Sequence, residues 1–476
     1  MRPSLRFTLL CVILVFAFTA AFAQQAGDDA VARAAIASGQ PDMGSRGVVD
    51  VQHVAVSSIG SIVLDADTGK VVGGSSFATF NGKAKPSAAA LAGNDDKFDI
   101  DDPRPNVSTI DQIDSIATFS GAFVAQAGPD ATCATPQGCD FRFTMLGNDP
   151  KLGGTTIFPG LILEVSWQLL NEDGSVFRNV PFAPFEKPFL ESPNFEPLDY
   201  RSGRRIEFGD AVHRAQFFNV MKKDWHSLII PQVVDKVTIQ VPRFVNVQLR
   251  DGTIVQARSY FTGTAADGST FVEMLSPLFN FFFDNTEVNE INLGNFRTNA
   301  MNMSLYPNTF LFNLGPKPLL APGSCCVLGF HTYFGNFDGV FPQQRFVSQF
   351  ASWISPGLFG AGFQDVTALS HELAETFANP FVSNPAPNWQ FPGFAANVAA
   401  CQNNLEEGDP IEVLANATTP ITVTEKGFTF TYHPQNIPLL QWFEMGTGSS
   451  AIDGAFSFPD ETVLPHSALP CPNGIG

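Results

Sequence analysis

Alternating apolar and polar runs, broken by Asp/Gly turns, constrain this chain most. Val49 to Phe80 alternates around Asp67-Thr68-Gly69, and Ile162 to Leu169 leads to Asp173-Gly174 before Ser175 to Val180 returns. Val245, Val247 and Leu249 alternate up to Asp251-Gly252, and Ile254-Val255 comes next. Glycine supplies the positive φ that tight hairpin turns require, so each run reads as paired strands. A chain punctuated this way folds around sheets, with helices added to them. The 40 Gly, 35 Pro and only 15% charged residues agree with a loop-rich β protein, and 44% hydrophobic residues exclude a disordered one. The 46 acidic against 27 basic residues give a formal charge of −19, which repels phosphate backbones and excludes nucleic acid as a partner.

At 476 residues the chain exceeds what one hydrophobic core usually serves. Residues 1–23 read as a secretion signal, with Arg2 and Arg6 ahead of an apolar core and Ala21-Phe22-Ala23 as the cleavage pattern. A secreted or periplasmic protein without a membrane span is expected once that segment is removed. Residues 24–105 read as a leader, a short β segment and an acidic linker containing Asp95, Asp96, Asp99, Asp101 and Asp102. Residues 106–200 read as a β-rich, sandwich-like module, and residues 201–476 as a larger α+β unit. Six cysteines outside the signal predict disulfides. Cys133 is expected to pair with Cys139, and the adjacent Cys325 and Cys326 are expected to take different partners.

Within the larger unit, Asp210 opens a helix expected to run to Trp225. Phe279 to Phe283 reads as a buried strand, as does Cys326 to Phe334. A helix is expected from Gln364 to Ala378, ended by Asn379-Pro380.

That last helix carries His371-Glu372-Leu373-Ala374-Glu375. On a helix His371 and Glu375 project from one face and can hold one cation together. Glu372, a residue further round, can reach an activated water as general base. This is the H-E-x-x-H zinc helix with its second His replaced by Glu, which makes 201–476 a zincin-like metallopeptidase-type domain in expectation. A third ligand is then required. Glu406 is expected to supply it, with His433 as the alternative. Asp409 is expected to hold the far nitrogen of His371 and Glu412 to support the same site. His331 lies on the strand before the metal helix, where it would face substrate.

The His-Glu-Leu-Ala-Glu helix, the Asn379-Pro380-Phe381-Val382 stretch after it, and Glu406-x-x-Asp409-x-x-Glu412 together resemble the Exordium-type phosphate-induced secreted proteins. The resemblance covers Gln364 to Glu412, with Ile411 where that family usually has Cys. It implies an extracellular, wall-associated protein in which those acids and His371 form one site.

The expected function is therefore a secreted, peptidase-like hydrolase that depends on Zn²⁺ or another divalent cation. Its substrate would be an extracellular peptide or cell-wall component. The alternative is a non-catalytic wall or matrix binding protein whose metal helix is structural.

Overall fold

A seven-stranded sheet organises the chain in the computed structural model, which describes residues 27–39, 41–47, 49–50, 62–73, 116–125, 139–199, 205–335, 344–360, 362–390, 401–412, 414, 416–425, 428–444, 458, 461–464 and 466. The secretion signal, the acidic run 95–102 and Cys133 lie outside the described residues. Strands and helices are mixed, with strands dominant. Among the described residues, no helix is long and apolar enough to cross a membrane.

The sheet strands are β1 (Val49–Asp50), β2 (Thr155–Leu170), β3 (Val176–Val180), β4 (His226–Val241), β5 (Met301–Tyr306), β6 (Gly329–Gly335) and β7 (Arg345–Ser352). Their order is β1-β6-β7-β5-β2-β4, with β3 antiparallel on β2. All neighbours along this path run parallel except β6 and β7. The expected hairpins form at Asp67-Thr68-Gly69, Asp173-Gly174 and Asp251-Gly252.

The expected boundary at residue 200 does not divide this sheet. β2 belongs to the segment read as a separate sandwich-like module, yet it pairs with β4 and β5 from the following segment. Its inward side chains, Trp167 among them, are buried by helices and strands far along the chain, and local alternation carries no record of that partnership.

The helices among the described residues include α1 (27–38), α2 (Phe208–Gln216), α3 (Ser276–Leu293) and α4 (Thr367–Ala378). Two sequence expectations change here. α2 stops at Gln216, well short of Trp225, and Asp210 does not cap it. The Asp210 carboxylate instead accepts from His226 Nδ1 at 2.8 Å and Ser227 N at 2.9 Å. Phe279 to Phe283 lies inside α3, not in a strand. Pro277 stands in the first turn and Gly294 closes the helix with φ +76°. A run of aromatics that is buried on several sides has no readable period, so its length and its caps decide. Phe279 and Phe283 stack one helical turn apart, and Phe279 meets Phe350 of β7 at 4.5 Å.

Residues 41–47 run along the outer edge of β6. Asp42 N donates to Cys326 O, Leu328 N to Asp42 O, His331 N to Gly44 O and Arg46 N to His331 O, all at 2.8–2.9 Å. The Arg46 guanidinium pairs with the Asp284 carboxylate of α3 through both its terminal nitrogens. Cys325 and Cys326 are bonded to each other across a cis peptide, contrary to the separate partners expected.

Candidate metal centre

Helix α4 packs against β6, β7 and α2, and all twelve of its residues are buried. Leu369, Leu373 and Phe377 account for its apolar side. Its polar side faces a second part of the interior, because His371, Glu372 and Glu375 are fully buried too. Asn379, just past the helix, fixes the next stretch of chain. Its Oδ1 accepts from Ser383 N and Asn384 N, and its Nδ2 donates to Glu406 Oε1 at 3.2 Å. The Asn-Pro stop thus also anchors the segment carrying Glu406, Asp409 and Glu412.

Seven ionisable side chains converge there, none more than 2% exposed: His331, His371, Glu372, Glu375, Glu406, Asp409 and Glu412. His371 Nε2 lies 3.1 Å from Glu375 Oε1 and 3.4 Å from Asp409 Oδ1. His331 Nδ1 lies 3.2 Å from Glu375 Oε2 and 3.7 Å from Glu372 Oε2, while its Nε2 is 3.6 Å from Glu406 Oε2. Despite these distances, His371 Nε2, both nitrogens of His331, both oxygens of Glu372, Glu375 Oε2, Glu406 Oε2, Asp409 Oδ1 and Glu412 Oε1 make no hydrogen bond among the described residues. Atoms that approach closely without aligning for hydrogen bonds are arranged around shared points. Three sets of these ligand atoms, each lying within 4.8 Å of one another, could hold a metal ion: His331/Glu375/Glu406, His371/Glu372/Glu375 and His371/Asp409/Glu412.

The ligand nitrogen of His371 is set by its neighbours. Gln435 Nε2 donates to Gly408 O at 2.7 Å, which turns Gln435 Oε1 toward His371 Nδ1 at 2.8 Å. Nδ1 therefore carries a proton, and Nε2 is the nitrogen that faces the carboxylates. Gly408 backs directly onto the imidazole, where a Cβ would overlap the ring, and Gly329 likewise makes room for Glu372.

Burial pushes Glu372 up to about 8 and Asp409 up to about 7, and holds Glu406 and Glu412 well above the usual carboxylate range. Burial acts on Glu375 in the same direction, but His371 and His331 outweigh it and hold that carboxyl below its ordinary range. Burial also opposes charging of the two imidazoles. The surrounding carboxylates override it, Glu406 foremost at His331 and Glu375 at His371, so both stand well above an ordinary histidine. The pocket interior attracts positive charge, and a divalent cation would satisfy it with the imidazoles neutral.

The structure brings His371, Glu372, Glu375, Glu406, Asp409 and Glu412 together, and it adds His331 to them. His433, the alternative third ligand, stands apart: its Nδ1 meets Asp365 Oδ2 at 2.6 Å and its Nε2 meets Gln364 at 2.9 Å. Asp409 lies on the Nε2 side of His371 and not at the far nitrogen, where Gln435 sits instead. His331, expected to face substrate, belongs to the cluster because β6 runs directly beside α4. Sequence reasoning did not single out Gln435. The one signal for it is its place two residues after His433, on a segment that returns to the start of α4.

No protein-family model matches the chain, and neither a curated protein nor a solved structure matches it. The chemistry of the site rests on its own atoms.

Proposed function

We propose that this protein is a metal-dependent hydrolase acting on peptide-like substrates. One observation carries the reading: fully buried ligand atoms of His371, Asp409 and Glu412 lie within 4.8 Å of one another, and Glu372, grouped with the same His371, has both oxygens free of hydrogen bonds. His371 Nε2, Asp409 and Glu412 would hold the cation, with Glu375 Oε1 3.1 Å from His371 Nε2, and Glu406 lies on the His331 side. One nitrogen with two carboxylates fits Zn²⁺ and tolerates a harder ion such as Mn²⁺. A cation bound there would polarise water and a scissile carbonyl. Glu372, with both oxygens free of hydrogen bonds beside that cation, would take the proton from the water as general base. Gln435 keeps the Nδ1 proton of His371 in place.

The edge of β6 favours an extended peptide as substrate. It already accepts the backbone of residues 41–47 beside the cluster, the mode by which strands are added to a sheet edge. A secreted or periplasmic setting, with an extracellular peptide or cell-wall substrate, completes the proposal.

The cluster's complete burial favours a second reading, a cation-braced structural protein. The two separate on one variant. In the hydrolase, Glu372→Gln keeps its metal by elemental analysis and loses at least about 100-fold of its activity on a quenched fluorescent peptide library. A metal-loaded wild type that cleaves none of the library would leave the structural reading. Undiminished cleavage by Glu372→Gln would remove that residue from the role of base.

A further inference from the structure

We propose that the cluster is a two-cation centre in which Glu375 is the bridging carboxylate. One pole comprises His371, Asp409 and Glu412 with Glu375 Oε1, and the other comprises His331 and Glu406 with Glu375 Oε2. The proposal rests on the hydrolase reading for the first cation and goes beyond it for the second.

Three observations carry it. The first is the orientation of Glu375, whose Oε1 faces His371 while its Oε2 faces His331, so its two oxygens serve opposite sides. The donors group by imidazole. His331, Glu375 and Glu406 form one set with ligand atoms within 4.8 Å of one another, and His371 heads two others, one with Asp409 and Glu412 and one with Glu372 and Glu375. Among the described residues, no such set contains both imidazoles.

The second observation is what a single cation would leave behind. With one ion at the His371 pole, both nitrogens of His331 and Glu406 Oε2 would remain buried without a hydrogen bond. Native interiors rarely tolerate that. His331 is fully buried, and its nitrogens lie 3.7, 3.2 and 3.6 Å from carboxylate oxygens of Glu372, Glu375 and Glu406.

The third is charge. Five buried carboxylates, those of Glu372, Glu375, Glu406, Asp409 and Glu412, surround the two imidazoles. Two imidazoles are few partners for five carboxylates, and a second divalent ion would add a partner at the His331 pole. Buried carboxylates are costly when ionised unless they are paired, and a cation supplies that pairing. The nitrogen and carboxylate donors at each pole suit a first-row divalent ion, and a shared carboxylate suits the ~3.5–4 Å separation usual in two-metal sites.

The test uses the full chain, stripped by chelator and reloaded with Zn²⁺ or Mn²⁺ alone, with stoichiometry read by elemental analysis and native mass spectrometry. The wild type is expected to hold two ions per chain and His331→Ala one. In the Mn²⁺ form, electron paramagnetic resonance is expected to show an exchange-coupled pair. That spectrum is read on the wild type, so it does not depend on whether the variant folds. One ion per chain in the wild type, unchanged by His331→Ala, would overturn the second site and leave the hydrolase reading standing. Two uncoupled Mn²⁺ signals would overturn the bridge. An absence of any bound ion would overturn both proposals together.

Discussion

Two parts of this molecule bury acid in opposite ways. On α3, Glu287 is fully buried against the sheet, where Ser304 Oγ of β5 and Ser348 Oγ of β7 each sit 2.5 Å from one of its oxygens. Burial pushes it up to about 8, so it is neutral around pH 7 with both oxygens satisfied. On α4 the carboxylates are equally buried but face two imidazoles, and most of their inward atoms have no hydrogen bond. Burial of an acid therefore does not identify a cation site. The distinguishing features are donors left over once local hydrogen bonds are made, and nitrogen ligands aimed among them.

The sharpest way to break that contrast is to remove the cations. If the α4 cluster is held together by bound metal, chelation should lower unfolding stability by about 4 kcal/mol relative to protein held at a metal concentration of roughly a thousand times the dissociation constant. Urea unfolding with and without chelator measures this. An unchanged midpoint would make the two regions alike.

A smaller effect is expected at Glu287. Its folded-state value lies above the ordinary 4.5, so its contribution is fully present below about pH 4.5 and is lost as pH rises toward about 8. Glu287→Gln should remove that loss. The variant should gain on the wild type, by on the order of a few kcal/mol between pH 5 and 8, in unfolding curves taken across the range. Parallel pH profiles for the two proteins would show that this carboxyl does not titrate differently on folding.

The smallest of the three concerns Gln435. Gln435→Leu frees His371 Nδ1 from its partner and should weaken metal binding by about 10–100-fold, as losses of outer hydrogen-bond partners do. Gln435→Glu, which keeps an acceptor, should recover most of it. Competition with a chromophoric chelator reads both. Equal affinity in all three proteins would mean that the ring is oriented by packing alone.

Much of this centre is legible in the sequence because its parts are local. The i, i+4 spacing of His371 and Glu375 and the short run from Glu406 to Glu412 need only a helix and a turn to bring them together. The remainder depends on tertiary placement. His331 joins because β6 lies alongside α4, and Gln435 joins because its segment returns to Ser370, whose hydroxyl accepts its backbone N–H at 2.8 Å. The fold divides similarly. Hairpins with Asp/Gly turns are readable from one stretch of chain. The pairing of β2 with β4 and β5 is not, nor is the helical state of Phe279 to Phe283, where burial on several sides erases the period.

The backbone of residues 41–47 along β6 has a further consequence. Met43 N reaches Glu412 Oε2 at 3.3 Å, so this segment covers the cluster as well as the sheet edge. A peptide arriving at that edge would not enter an open cleft. It would have to exchange strand for strand with an occupant tethered to the same chain, whose effective concentration is about millimolar for a short flexible tether. If peptides do bind at this edge, residues 41–47 would compete with them in a way that dilution cannot remove.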